Sequence, residues 1–98
     1  MPSSLSKILN NAFAECIFLK IITFETPSSL NLIGQKAFEN CKSLVKILIP
    51  SSVQLIDDDA FRNCQSLKDI RFESPSSLKT IGYYSFSNCT SLEQITIP

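Results

Sequence analysis

The sequence predicts a solenoid of four stacked repeats, each made of one parallel β-strand and one short helical or 3₁₀ turn. Three observations support this prediction: apolar columns that recur every 23 to 25 residues, a period-two alternation near the end of each unit, and a Pro-Ser-Ser turn between units. With 98 residues, the chain is long enough for one small domain and too short for two independent cores. We therefore treat residues 1–98 as a single domain, with repeats 1 to 4 at about 5–29, 30–52, 53–77 and 78–98.

The repeat is clearest in three apolar columns that share intervals of 25, 23 and 25 residues. The columns are Cys16, Cys41, Cys64 and Cys89; Phe13, Phe38, Phe61 and Phe86; and Leu19, Leu44, Leu67 and Leu92. One repeat buries too few side chains to fold alone, whereas stacked repeats fuse their apolar clusters into a continuous core. The columns are therefore expected to lie directly over one another inside the solenoid.

A strand is predicted near the end of each unit, where the pattern L-x-x-I-x-[I/F] alternates with period two, as in Leu44 to Ile49. Proline follows and ends the strand, because it has no N–H to continue a ladder of hydrogen bonds. The length difference between units lies just before this proline, at Glu25-Thr26 and Glu73-Ser74. The turns are Pro2-Ser3-Ser4, Pro27-Ser28-Ser29, Pro50-Ser51-Ser52 and Pro75-Ser76-Ser77.

The middle of each unit predicts one or two helical or 3₁₀ turns. In residues 33–41 the apolar positions recur at i, i+4, i+5 and i+8, which places them on one side of a helix. Gly34 and Gly82 are expected to serve the start of these turns through permissive backbone angles, and Asp57 or Asp58 through N-capping.

The complete unit, L-x-x-I-x-x-x-[A/S]-F-x-x-C-x-x-L-x-x-I-x-[I/F], resembles the BspA-type leucine-rich repeat, whose units read close to L-x-x-I-G-x-x-A-F-x-x-C-x-x-L-x-x-I-x-I-P. Residues 37–50 match this pattern column by column. Leu9 and Asp57 replace the family glycine, Ser85 replaces alanine and Val53 replaces the opening leucine. The resemblance covers essentially the whole chain and implies a leucine-rich repeat solenoid.

Proteins similar to this one occur in anaerobic bacteria and parasitic protists, often in long surface-exposed arrays implicated in adhesion to host or matrix proteins. The resemblance therefore implies a non-catalytic protein-binding module of a cell-surface or extracellular adhesion or antigen-like protein. The chain carries no recognisable leader or anchor, and we expect it to be a fragment of a longer array. An alternative is a structural or scaffold fragment that self-associates through uncapped ends, since bare solenoid ends expose apolar columns and strand edges.

Composition argues against several other classes of function. Nine basic and nine acidic residues balance, with no basic cluster, so nucleic acid is not an expected partner. No stretch approaches the roughly 18 apolar residues of a membrane-spanning helix, so no membrane insertion is expected. Histidine, the commonest general base and metal ligand, is absent. We expect no enzymatic activity, no cofactor and no metal.

Three smaller features each have two interpretations. The cysteines, one per repeat, predict a buried reduced column, with a disulfide or metal site as the alternative. Asp57-Asp58-Asp59 predicts capping and solvation, with a Ca²⁺ site as the alternative. Asn88-Cys89-Thr90 matches the N-glycosylation pattern, although its middle residue belongs to a core column. The phenylalanine column is interpreted as a structural spine and not as a platform for ligand stacking.

The outward side chains of successive strands form the predicted partner-binding face. Lys46 and Asp69 are expected to pair across adjacent strands. Ile21 and Leu48 are apolar where water should reach them, and Arg71 belongs to a residue type enriched at binding hot spots, although long and branched side chains also simply suit strands. The candidate contacts are Ile21, Thr23, Lys46, Leu48, Asp69, Arg71, Gln94 and Thr96, with Glu25, Pro50, Glu73 and Pro98 outward at the strand ends.

Overall fold

Two parallel sheets run along the chain in the computed structural model, which describes residues 1–95 and 97–98. The major sheet contains β3 (Lys46–Ile49), β5 (Asp69–Phe72) and β7 (Gln94–Ile95), in the order β3-β5-β7. The minor sheet contains β1 (Lys7–Ile8), β2 (Leu32–Ile33), β4 (Leu55–Ile56) and β6 (Thr80–Ile81), in the order β1-β2-β4-β6. Each strand therefore pairs with the equivalent strand of the neighbouring repeat.

The register of both sheets places equivalent residues side by side. In the major sheet Ile47 pairs with Ile70, and Ile21 of repeat 1 joins through an isolated bridge to Lys46. The predicted strand at Leu44–Ile49 begins two residues later, at Lys46. The minor sheet was not predicted, because strands of two residues are too short to show an alternation. The parallel strands and apolar columns of a leucine-rich repeat are present nonetheless.

The turn segments are not helical, so this part of the prediction is wrong. None of the residues that the structure describes lies in an α-helix or a 3₁₀ helix. Two residues per repeat adopt φ angles of 56 to 62°, in the left-handed region that interrupts a right-handed helix. These residues are Asn11, Lys36, Asp59 and Tyr84, and Glu15, Asn40, Asn63 and Asn88. Asparagine predominates in the second group because its short polar side chain tolerates this conformation best.

Backbone N–H groups of the turn segments alternate between a local acceptor and an acceptor in the next repeat. The N–H of Glu39 donates to the carbonyl of Lys36 at 3.2 Å, whereas the N–H of Phe38 donates to the carbonyl of Ala60 at 2.7 Å. A helix would direct all of these N–H groups along its own axis. The segment is therefore a row of turns that holds the repeats together, and its apolar spacing imitates that of a helix.

The phenylalanine column forms the predicted interior row. Consecutive rings stack with centroids 5.3, 5.1 and 5.5 Å apart and with planes within 5 to 11° of parallel. Phe38 and Phe61 are completely buried, and Phe13 and Phe86 are partly buried at the two ends. The prediction of a structural spine is confirmed.

The cysteine column is a row of free thiols that donate hydrogen bonds to backbone carbonyls. Cys41 and Cys64 are buried, whereas Cys16 and Cys89 are half-buried. Burial raises the pKa of the Cys41 thiol to about 11 and also raises the pKa of Cys64 and Cys89, because a thiolate would lose its hydration. The bonds, each 3.1 Å, run from Cys41 Sγ to Phe13 O, from Cys64 Sγ to Phe38 O and from Cys89 Sγ to Phe61 O.

The glycines are required by close approach between repeats, and the expectation of permissive backbone angles is wrong because neither glycine has a positive φ. A Cβ on Gly34 would lie 2.6 Å from Asn10 Oδ1 and 2.9 Å from the carbonyl oxygen of Ile8. The same Asn10 Oδ1 accepts a hydrogen bond of 2.8 Å from the N–H of Gln35. Glycine is therefore needed wherever the preceding repeat presents an Asn or Asp side chain at this position.

The repeats consequently alternate between two kinds. Repeats 1 and 3 present Asn10 and Asp58, and they contain the two extra residues before a proline whose preceding peptide bond is cis. Repeats 2 and 4 contain the glycines, Gly34 and Gly82. Repeat 2 passes from Ile49 directly to its proline without an insertion, and Ile97-Pro98 has the same sequence in repeat 4.

Candidate binding surface

A groove of about 400 Å³ lies on the outer face of the major sheet. The buried side chains of Ile22 and Ile47 alternate with the outward residues that line it. Six predicted contact residues line this groove: Ile21, Thr23, Lys46, Leu48, Asp69 and Arg71. Gln94 continues the row as the backbone partner of Asp69, and Thr96 lies outside the described residues. The period-two alternation thus brings the six side chains together on one surface.

The apolar part of the groove comes from two adjacent repeats. Ile21 is 55% exposed and Leu48 is 51% exposed. Both side chains stand outward on backbone that is paired into the major sheet, through the bridge of Ile21 to Lys46 and through β3. Neither side chain is needed to fill the core, so both are available for contact with another molecule.

The ion pair of the groove differs from the predicted one. Lys46 and Asp69 are register partners, as expected, but Asp69 pairs with Arg71, with 3.0 Å between Arg71 Nε and Asp69 Oδ2. Residues two apart on a strand point to the same face, and the long arginine side chain reaches back along β5. Lys46 is exposed and forms no ion pair within residues 1–95 and 97–98, so it supplies an uncompensated positive charge to the groove.

A smaller cavity of about 180 Å³ continues the groove toward the strand ends. Thr23 and Leu48 line both spaces, and Glu73 and Pro50 line the cavity alone. Pro50 is buried, so its prediction as an outward residue is wrong. The reason is that the chain turns inward after Ile49, which is also buried, and the strand alternation ends there.

The acidic run of repeat 3 is engaged by protein groups. Asp58 Oδ1 accepts the N–H of Tyr83 at 2.8 Å, and Asp57 Oδ1 accepts the N–H of Asp58 at 2.8 Å. Asp59 Oδ1 lies 3.7 Å from Arg62 Nη1. The described part of the chain contains no group of three or more histidine, cysteine or acidic side chains arranged to hold a metal ion. Capping by Asp58 therefore serves the backbone of the next repeat and not the start of a helix.

The glycosylation pattern lies at the outer edge of repeat 4. Asn88 and Thr90 are exposed, and Asn88 has a φ of 58°. Cys89 between them is half-buried and donates its thiol hydrogen to Phe61 O. The asparagine side chain is thus more accessible than its core-column neighbour suggested.

The chain belongs to the BspA-type leucine-rich repeat family. The family model described as "BspA type Leucine rich repeat region (6 copies)" matches residues 1–98. Among curated proteins, no sequence matches. Within residues 1–95 and 97–98, no helix has the length and apolar character needed to cross a membrane.

Two solved structures share the fold. A leucine-rich repeat protein from Bacteroides ovatus ATCC 8483 is similar with 35% sequence identity and a TM-score of 0.80, over 93% of this chain and 24% of that chain. The leucine-rich repeat protein of T. pallidum is similar with 28% identity and a TM-score of 0.63, over 95% of this chain and 52% of that chain. This chain therefore spans about a quarter and about half of the lengths of these two proteins.

Proposed function

We propose that the chain is a four-repeat, non-catalytic module that binds a protein partner through the groove on the major sheet. The observation that carries this proposal is the groove itself, where Ile21 and Leu48 are half exposed beside the unpaired Lys46. Exposed apolar side chains rimmed by polar ones are typical of protein contact sites. The major sheet does not need these outward side chains for its core, so they are free to serve recognition.

The charges of the groove indicate the kind of segment that it would accept. Asp69 and Arg71 neutralise each other, which leaves Lys46 as the dominant charge. A partner segment that places an apolar side chain between Ile21 and Leu48 and a carboxylate near Lys46 would satisfy both features. The Arg71 guanidinium, held by Asp69, could contribute its planar face and remaining N–H groups to the same segment.

The family association with surface proteins supports a location at the cell surface or outside the cell, as part of an adhesion or antigen-like protein. Host or matrix proteins are the partners that this setting offers. A scaffold role through repeat association is the second candidate, and it rests on the unpaired backbone groups of the two end repeats described below.

The test is retention on extracellular matrix deposited by cultured epithelial cells. The double variant Ile21→Ser with Leu48→Ser is expected to lower retention about tenfold or more, because it removes the apolar centre of the contact. Lys46→Glu is expected to lower retention most at low salt, where charge interactions are least screened.

The matched control is Ile17→Ser, which changes an exposed isoleucine of the same repeat outside the groove. Its retention should equal that of the unchanged chain. Equal retention of the double variant and the unchanged chain would show that the groove is not the binding site. Unfolding in urea should give the same midpoint for both variants, which separates binding from folding.

A further inference from the structure

The two end repeats present complementary backbone groups. At the end of the solenoid formed by repeat 4, three N–H groups have no backbone acceptor in the described part of the chain; they belong to Tyr84, Phe86 and Asn88. At the opposite end, formed by repeat 1, three carbonyls have no backbone donor among the described residues; they belong to Asn10, Ala12 and Ala14. Donors therefore stand at one end and acceptors at the other.

The contact between repeats 2 and 3 shows how such groups pair. The N–H groups of the first repeat donate to carbonyls of the second, at 2.7 to 3.1 Å. The pairs are Lys36 with Asp58, Phe38 with Ala60, and Asn40 with Arg62. Residues 84, 86 and 88 occupy the same columns as 36, 38 and 40, and residues 10, 12 and 14 the same columns as 58, 60 and 62. A repeat 4 placed on a repeat 1 would form the same three bonds.

The alternation of the repeats makes this contact equivalent to an existing one. Repeats 2 and 4 are of the kind that contains glycine, and repeats 1 and 3 are of the kind that presents Asn10 or Asp58. Repeat 4 followed by repeat 1 therefore repeats the order of repeat 2 followed by repeat 3. Leu9, at the glycine position of repeat 1, meets no Asn or Asp side chain in this arrangement, because repeat 4 carries Tyr83 in that column.

The exposed side chains at the two ends also match. Tyr83 is 80% exposed and Leu9 is 65% exposed. The contact of Asn10 with the Gly34 position shows that a side chain in the Tyr83 column lies over the Leu9 column of the following repeat. Tyr83 of one copy would thus cover Leu9 of another. The partly buried rings of Phe86 and Phe13 would continue the stack, and the Cys16 thiol would gain the carbonyl of Phe86 as acceptor.

We propose that copies of this chain associate end to end, with repeat 1 of one copy stacked on repeat 4 of the next. The contact is heterologous, since each copy uses two different surfaces, and it leaves both outer ends free for further copies. Bare solenoid ends with unpaired strand edges favour such growth. This inference concerns surfaces separate from the groove on the major sheet and does not depend on the proposed function.

One segment must yield for the ends to meet. Met1-Pro2 occupies the column of Ile49-Pro50, since Glu25 N donates to Met1 O at 2.9 Å as Glu73 N donates to Ile49 O at 2.9 Å. Ile97-Pro98 belongs to the same column and would compete for this place. The Met1 ammonium is also bound to Thr23 O at 2.7 Å, whereas Ile97 is 53% exposed. The residues at 97–98 are therefore the ones that move aside.

Sedimentation velocity of the 98-residue chain over a wide concentration range tests the proposal. The expected result is an average mass that rises with concentration without a fixed ceiling. Leu9→Lys and Tyr83→Glu, each alone, are expected to lower the association constant about tenfold or more, as for a central interface residue. Mixing the two variants should restore association, because the carboxylate introduced in one copy then faces the ammonium introduced in the other.

Three results would overturn the proposal: a monomer at every concentration, a dimer that takes up no further copies, or variants that do not complement each other on mixing. Deletion of residues 96–98 should maintain or strengthen association, and a marked loss would also contradict the arrangement. Leu48→Lys, on the groove, is the control that should leave association unchanged. Matrix retention by Leu9→Lys and Tyr83→Glu at low concentration separates a failure of this proposal from a failure of the proposed function.

Discussion

The interior repeats, 30–52 and 53–77, and the end repeats, 5–29 and 78–98, have nearly the same apolar columns but different environments. Phe38 and Phe61 are completely buried between two neighbours, whereas Phe13 and Phe86 have a neighbour on one side only and remain partly exposed. Most hydrogen bonds of the turn segments also cross from one repeat to the next. The comparison teaches that stability resides in the contacts between repeats more than in any repeat by itself.

The largest difference is expected from truncation of the phenylalanine spine. Phe61→Ala should lower the free energy of unfolding by about 3 to 5 kcal/mol, because it leaves a cavity between two stacked rings. Phe13→Ala should cost about half as much, since its ring contacts only Phe38 and is already partly exposed. Urea unfolding of both variants measures the difference. Equal losses would contradict the view that the end repeats are held from one side.

The second difference concerns the thiols at alkaline pH. The folded-state pKa of Cys41 is about 11, above its ordinary value of 9.0, so folding favours the neutral thiol. Its contribution to stability is complete below pH 9 and is lost as the pH rises through about 11, at about 1 to 2 kcal/mol per pH unit. Urea unfolding between pH 8 and pH 11 should show this decline.

Cys41→Ser is the matched control, because serine keeps a donor for the carbonyl of Phe13 and does not titrate in this range. Its stability should fall less steeply with pH, with the remaining slope due to Cys64 and Cys89. Identical slopes for the variant and the unchanged chain would show that the Cys41 thiol does not contribute to the pH dependence.

The third prediction tests whether the neighbour matters more than the position in the array. Gly82 lies in an end repeat, but it faces the interior repeat 3, where a Cβ would lie 2.5 Å from the N of Asp58. Gly82→Ala and Gly34→Ala should therefore both cost about 1 to 3 kcal/mol through overpacking. Gln35→Ala, at an exposed neighbouring position, is the control and should change stability little. A neutral Gly82→Ala would indicate that the end repeat shifts to accommodate the methyl group.

The smallest difference is expected in the asparagine column. Asn63→Ala removes the hydrogen bond of 2.9 Å to Asn40 Oδ1 and the residue type best suited to the left-handed φ of 62°. A loss of about 1 kcal/mol is expected for the hydrogen bond alone. Asn88→Ala, with the same backbone conformation at the open end, should lose only the conformational part. Thermal unfolding of both variants, with equal losses as the contradictory outcome, checks this ordering.

The candidate site illustrates how far the sequence could be interpreted. Alternation along the strands correctly placed six outward residues on one face, because side chains of a strand point to opposite sides in turn. It did not predict that Asp69 would choose Arg71 over Lys46, because the choice depends on side-chain reach across the folded face. The burial of Pro50 depends likewise on where the chain turns after its strand.

The sequence by itself determined which side chains form the interior: the phenylalanines, cysteines and leucines recur in columns, and equivalent residues of stacked repeats must occupy equivalent places. Only the tertiary structure decided how the backbone between them is satisfied. Phe38 N–H finds its acceptor in Ala60, and Gly34 is required by Asn10 of the preceding repeat. These partners are 22 to 24 residues apart, so local patterns that predict a helix cannot reveal that the neighbouring repeat competes for the same hydrogen bonds.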